Sequence, residues 1–175
     1  MNSNSKTQIL KDLKEKSILV AREFNAPLEV VWRAYTDSTL LDQWWGPQPW
    51  RAVTKSMDFR AGGHWLYAMV GPDNEKHWAL MNFLAIDPHK SYSVEDAFCD
   101  EEGNINPALP VSTGSTVFST TSNGTLVEFR MFYPSEADIQ KIVEMGFEQG
   151  ISLCFDQLAE MLERIKYKSD GRKNA

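Results

Sequence analysis

The sequence predicts an α+β domain in which an antiparallel sheet of about seven strands curves around one long C-terminal helix, with two short helices after the first strand. Three observations carry this expectation. Six apolar, β-prone segments between residues 50 and 133 are separated by connections too short for helical crossovers, so neighbouring strands must run antiparallel. Apolar residues then recur at helical period from Ile139 to Ile165. Finally, Asn123-Gly124 stands between two alternating runs, a strong hairpin signal because both residues accept positive φ.

The elements follow in order. Ser17 to Asn25 reads as a strand, with Ile18, Val20 and Phe24 alternating against Ala21, Glu23 and Asn25. Ala26-Pro27-Leu28-Glu29 opens a helix to about Thr36, since proline fits a first helical turn. Asp37 or Ser38 caps a second short helix through Leu40, Leu41 and Trp44, which Gly46-Pro47 and Pro49 stop. Strands are expected near 50–59, 64–70, 76–86, 91–98, 115–121 and 125–133, with a long connection at 99–114. Ser135 caps the final helix, whose stripe runs through Ile139, Ile142, Val143, Gly146, Gly150, Leu153, Leu158, Met161, Leu162 and Ile165. Residues 1–16 are assigned to a polar extension, 17–166 to a single domain, and 167–175 to a basic, disordered tail.

Length and composition agree. A chain of 175 residues, 42% hydrophobic and 24% charged, buries a core without disulfides or metal. Residues 17–163 hold 9 basic against 21 acidic residues, a balance that repels phosphate backbones and excludes nucleic acid as a partner. No apolar run reaches the ~18 residues of a membrane span, and the first 16 residues lack the apolar core of a secretory signal. Cys99 and Cys154 make no disulfide framework, so the simplest compartment is cytoplasmic.

Aromatic residues are the unusual feature. All six tryptophans, Trp32, Trp44, Trp45, Trp50, Trp65 and Trp78, fall within 47 residues. A strongly curved sheet leaves a gap beside its helix, and the strand faces indicate what lines it. Val127, Phe129, Met131 and Tyr133 share the inward face of one strand, while Trp65, Tyr67 and Met69 form a bulky face on another. In 76–86 the register leaves two sets open: Trp78, Leu80 and Asn82, or His77, Met81 and Phe83. Gly146 and Gly150 lie one turn apart on the helical stripe, which leaves space for a ligand beside Met145 and Gln149 or serves close helix–sheet packing. The candidate ligand-binding set is therefore Trp65, Tyr67, Met69, Trp78, Phe83, Phe129, Met131, Met145 and Gln149. Tyr67 and Gln149 would orient a polar group.

Catalytic and metal chemistry find little support. His64, His77 and His89 lack metal-ligand spacing, and no cofactor motif, nucleophile elbow or phosphate loop is present. Cys154 reads as a small buried hydrophobe, and Cys99 as a thiol blunted by neighbouring carboxylates. The acids Glu95, Asp96, Asp100, Glu101 and Glu102 read as a solvated loop.

Several ordered motifs carry a family resemblance. Ala26-Pro27-x-x-Val30-Val31-Trp32-Arg33-Ala34-Tyr35-Thr36 resembles the first-helix motif of START-like (SRPBCC) proteins. Trp44-Trp45-Gly46-Pro47 and Asp58-Phe59-Arg60-Ala61-Gly62-Gly63 are similar to motifs of the branch named after the activator of the heat-shock-protein-90 ATPase. Met69-Val70-Gly71-Pro72-Asp73, and Met145-Gly146-Phe147-x-x-Gly150 followed by Leu158-Ala159-x-Met161-Leu162, extend the match over about 17–165. The resemblance implies a helix-grip fold, like that of the birch-pollen allergen, with a hydrophobic cavity for a small apolar or aromatic ligand. It also leaves two alternatives: a co-chaperone-like module using exposed parts of the Trp44-Trp45 corner or the acidic helix, with a chaperone or a second copy as partner, and an enzyme acting on a polyketide-like ligand with His77 as its candidate. The extra N-terminal domain of the eukaryotic co-chaperone is not expected here. The sequence departs from the family pattern at Ile151, where many relatives carry Trp, which implies a larger cavity. It departs again in the long 99–114 segment, which implies a lid or a partner surface.

Overall fold

A computed structural model describes residues 6–173, with side chains described for residues 6–166. The strands are β1 (Gln8–Asp12), β2 (Ser17–Phe24), β3 (Arg51–Met57), β4 (His64–Val70), β5 (Lys76–Asp87), β6 (Ser91–Cys99), β7 (Ser112–Thr120) and β8 (Thr125–Phe132). The helices are α1 (Leu28–Thr36), α2 (Ser38–Trp44), α3 (Glu136–Glu144) and α4 (Phe147–Lys173). All strands join one antiparallel sheet in the order β1-β2-β8-β7-β6-β5-β4-β3. Its concave face holds the apolar side of α4, where Ile151, Cys154, Phe155, Leu158, Met161 and Leu162 are buried.

The sheet bends at two bulges, between Thr54 and Ser56 in β3 and between Phe83 and Ala85 in β5. The second turns Leu84 out to 55% exposure and returns Ile86 to the core side. Arg22 ties the sheet to the helix: its guanidinium lies over the Phe24 ring and bonds Asp156 of α4.

Three expectations are corrected. Residues 8–12, assigned to a polar extension, form an eighth strand. Its alternation is weak because Leu10 is exposed, and it exists through pairing of Gln8–Asp12 with Ser17–Ala21 of β2. The long C-terminal helix is present as α4, but it starts at Phe147, and the segment capped by Ser135 is a separate helix, α3. Gly146 sits at φ +88° just past α3, a left-handed position that glycine occupies without steric cost, and its N–H closes onto the Val143 carbonyl. The break changes the phase of the apolar stripe, so Leu153 is 39% exposed while Ile151, Cys154 and Phe155 turn inward. Gly146 thus serves backbone geometry, and a Cβ there would meet nothing within 4 Å. The tail expected at 167–175 is helical as far as Lys173; its side chains and residues 174 and 175 lie outside the described residues.

Gly150 is different. It lies inside α4 with helical geometry, and a Cβ would meet only Pro47 Cγ at 3.7 Å, an ordinary contact. Gly150→Ala is therefore expected to stabilise the fold by about 0.5–1 kcal/mol. Urea denaturation checks this; a lower midpoint would show that the approach of Pro47 requires glycine.

The corner after α2 explains the tryptophan cluster. Trp44 is fully buried, with Tyr35, Trp45 and Phe155 around it at centroid distances of 4.9, 5.3 and 6.1 Å. Its indole Nε1 donates to the Ala34 carbonyl at 2.9 Å, satisfying an otherwise unpaired group at the end of α1. Gln157 of α4 clamps the same corner. Its amide nitrogen donates to the Trp44 and Gly46 carbonyls at 3.0 and 2.7 Å, and its oxygen accepts the Gln48 N–H at 2.9 Å.

The 99–114 segment is tied to the fold, with Ile105 bridging back to Cys99 and Pro110 lining the cavity edge. β7 begins at Ser112, and the chain before it folds against the end of the sheet. Lys55 Nζ donates to the Glu101 carbonyl at 2.8 Å, and Lys141 Nζ of α3 donates to the Ala108 carbonyl at 3.2 Å.

Candidate functional site

A cavity of about 220 Å³ lies between the concave sheet face and the start of α4. Register decides its floor. Across the sheet, Trp65 pairs with Met81, Met81 with Asp96, and Asp96 with Ser112, which places all four on one face. The adjacent row pairs Tyr67 with Ala79, and Ala79 with Phe98. Phe129 and Met131 complete the floor from β8. Phe147, Gly150, Ile151 and Cys154 form the helical wall, while Trp45, Pro47 and Pro110 close the sides.

Polar groups are few. Trp45 Nε1 donates to the Tyr67 hydroxyl oxygen at 3.0 Å, leaving the Tyr67 O–H free to donate elsewhere. The Tyr133 hydroxyl donates to Met131 Sδ at 3.6 Å, and hydrogen bonding with Ser112 also acts on it. Asp96 lines the same space. The residue is half-buried in β6. Desolvation pushes it up to about 7, countered in part by the Ala97 backbone N–H. Burial, reinforced by the Asp96 charge, raises Tyr67 and Tyr133 well above the usual phenol range. Burial also moves Cys154 up to about 11, although the Gly46 N–H reaches its Sγ at 3.3 Å. Cys154 is thus a neutral part of the wall.

The structure divides the candidate ligand-binding set. Tyr67, Met69, Phe129 and Met131 line the main cavity. Trp65 and Phe83 line a deeper space of about 20 Å³, which Phe129 also borders, and Trp65 stacks on Tyr67 at 4.0 Å. The β5 register turns Ala79, Met81 and Phe83 inward. Trp78 goes to the other face, where Lys55 Nζ sits 5.8 Å from its ring. Met145 is 54% exposed at the α3–α4 corner, and Gln149 is exposed on α4; neither lines either space. His77 is also exposed, against Trp50 at 5.5 Å, outside the cavity.

Asp96 was missed. The acid-rich run around it suggested a solvated loop, yet Tyr92, Val94 and Asp96 alternate within β6, and the first two are buried. That alternation was the available signal. Gln157 offered none, because its partners are backbone groups more than 100 residues away in sequence.

A larger groove of about 650 Å³ lies between the start of α1, the β7–β8 turn and Leu162, Ile165 and Lys166. It contains none of the sequence-predicted site residues. Among the described residues no group of three or more His, Cys, Asp or Glu side chains is placed to hold a metal ion. No helix there is long and apolar enough to cross a membrane.

An antiparallel sheet gripping a C-terminal helix over a mostly apolar cavity defines the helix-grip class. Within it, the chain belongs to the family described as activator of Hsp90 ATPase homolog 1-like protein, whose sequence profile matches residues 25–163. Solved structures agree. A Mycobacterium smegmatis protein is 34% identical with a TM-score of 0.83, covering 89% of this chain and 96% of its own. An Arthrobacter aurescens protein is 30% identical with a TM-score of 0.84, covering 90% and 91%. A Nitrosomonas europaea protein is 28% identical with a TM-score of 0.77, covering 88% and 98%. Among curated proteins no match is found.

Proposed function

We propose that the protein binds a small hydrophobic or aromatic molecule non-covalently between the sheet and α4. The observation carrying this reading is the cavity itself: about 220 Å³, walled mainly by apolar side chains, with Tyr67, Ser112, Tyr133 and Asp96 as its few polar groups. Family membership supports the reading, because ligand binding in this position is what the helix-grip resemblance implies. Trp44 is fully buried and Trp45 is half-buried against the core, so the corner favours packing over a broad exposed apolar patch.

Intrinsic fluorescence tests the proposal. Trp45 borders both internal spaces and Trp65 the deeper one, so a bound ligand should produce a saturable change in emission. Ile151→Trp places a large ring in the helical wall and should weaken binding at least about tenfold, the effect of losing about 1.4 kcal/mol. Absence of a response across a panel of apolar and aromatic compounds, with thermal shifts equally silent, would count decisively against a ligand cavity.

A further inference from the structure

Asp96 places one carboxyl in an otherwise mostly apolar lining. We infer that the cavity takes a hydrophobic amine, an apolar or aromatic body bearing one cationic nitrogen, with the Asp96 carboxylate as its counter-charge. This inference rests on reading the cavity as a ligand site and adds the charge class of the ligand.

The cavity supplies Asp96 with no cation. The ion pairs among the described residues join Lys11 to Glu148, Arg22 to Asp156, Lys55 to Glu101 and Arg60 to Asp58, and none involves Asp96. The titratable groups around it are Tyr67 of β4, Tyr92 and Cys99 of β6, Tyr133 after β8, and Cys154 of α4. Each is shifted upward chiefly by burial, so each stays neutral through the pH range in which Asp96 titrates. The helices contribute only apolar or neutral groups: Ile142 from α3, and Phe147, Ile151 and Cys154 from α4.

A desolvated carboxylate without a counter-charge is costly, and a proton or a cation removes that cost. A ligand ammonium supplies the cation; a neutral ligand leaves the cost in place, and an anion adds repulsion. The remaining chemistry fits the same ligand. Ser112 and Tyr133 hold hydroxyl oxygens in the lining, able to accept further N–H bonds beside the carboxylate. The aromatic residues Trp45, Phe98, Phe129 and Phe147 surround the space with rings whose faces attract cations.

Calorimetric titration with three probes of one shape tests the inference: 1-naphthylmethylamine, 1-naphthylmethanol and 1-naphthoate. At about pH 8 the amine should bind at least about tenfold tighter than the alcohol, with the acid weakest. At about pH 5.5, where Asp96 is protonated, the amine's advantage should fall to less than about threefold. Asp96→Asn should bind amine and alcohol alike at both pH values. Equal binding of amine and alcohol by the native protein at about pH 8, or an amine preference that survives in Asp96→Asn, overturns the inference while leaving the cavity as an apolar ligand site. Failure of all three probes to bind overturns both readings.

Discussion

Asp96→Asn is expected to raise the stability of the unliganded protein at neutral and alkaline pH and to flatten its dependence on pH. The native carboxyl is held at about 7 against an ordinary value of 3.8, because burial penalises its charged form. Between those values the folded state binds the proton more tightly than the unfolded state does. The associated stability is therefore complete below about pH 4 and is lost as pH rises through about 7. At about 1.4 kcal/mol per pH unit the loss is bounded near 4 kcal/mol, and because Asp96 is only half-buried, solvent screening reduces it to about 2 kcal/mol. The amide has the same shape and no charge to desolvate, so the variant should gain about that amount at about pH 8 and little at about pH 4. Asp37 and Asp100 act in the opposite sense: hydrogen bonds from Thr39 and from Asn104 lower them. Their contributions are lost only as pH falls through the low carboxylate range, so the two windows separate. Urea midpoints across pH measure the difference. A variant whose pH profile runs parallel to that of the native protein would show that Asp96 is effectively solvated.

Trp44→Ala is expected to be the most damaging single truncation in the corner, costing about 3–5 kcal/mol, enough to leave a domain of ordinary stability marginal or unfolded. The side chain is completely buried among Tyr35, Trp45 and Phe155, so truncation opens a cavity that three elements must collapse to fill. It also removes the indole N–H that bonds the Ala34 carbonyl. Trp44→Phe separates the two losses by keeping an aromatic ring and deleting the donor; about 1–3 kcal/mol is expected for that variant. Thermal and chemical denaturation report both. A near-neutral Trp44→Ala would mean that the corner repacks, leaving the conformation of Trp45 and the Tyr67 hydroxyl free to change.

These two residues illustrate what kind of information sequence holds. Trp44 stands in a local motif, and its structural role was legible from the motif and from the Gly46-Pro47 stop after it. Asp96 stands in an acid-rich run whose composition points to solvent, while its position in the β6 alternation points inward. The periodicity was the better guide, because pleat direction depends on the backbone and not on the character of the neighbours. Trp78 shows the converse. It is as apolar as Phe83 and lies in the same strand, but only pairing with β4 and β6 decides which parity faces the helix.

The sequence by itself determined the order of elements from β2 to β8, the antiparallel sheet, the apolar helix that fills it, and the inward faces of β4 and β8. Those features arise from local periodicity and turn chemistry, which short stretches of chain encode. The tertiary structure alone decided the pairing that makes a strand of Gln8–Asp12, the phase change at Gly146 that turned Ile151 inward and Leu153 outward, and the parity of β5. It also brought Asp96, Tyr67, Ser112 and Tyr133 to one cavity from segments scattered along the chain. Each of these depends on contacts between residues far apart in sequence, and a single charged group's environment is set by those contacts rather than by its neighbours along the chain.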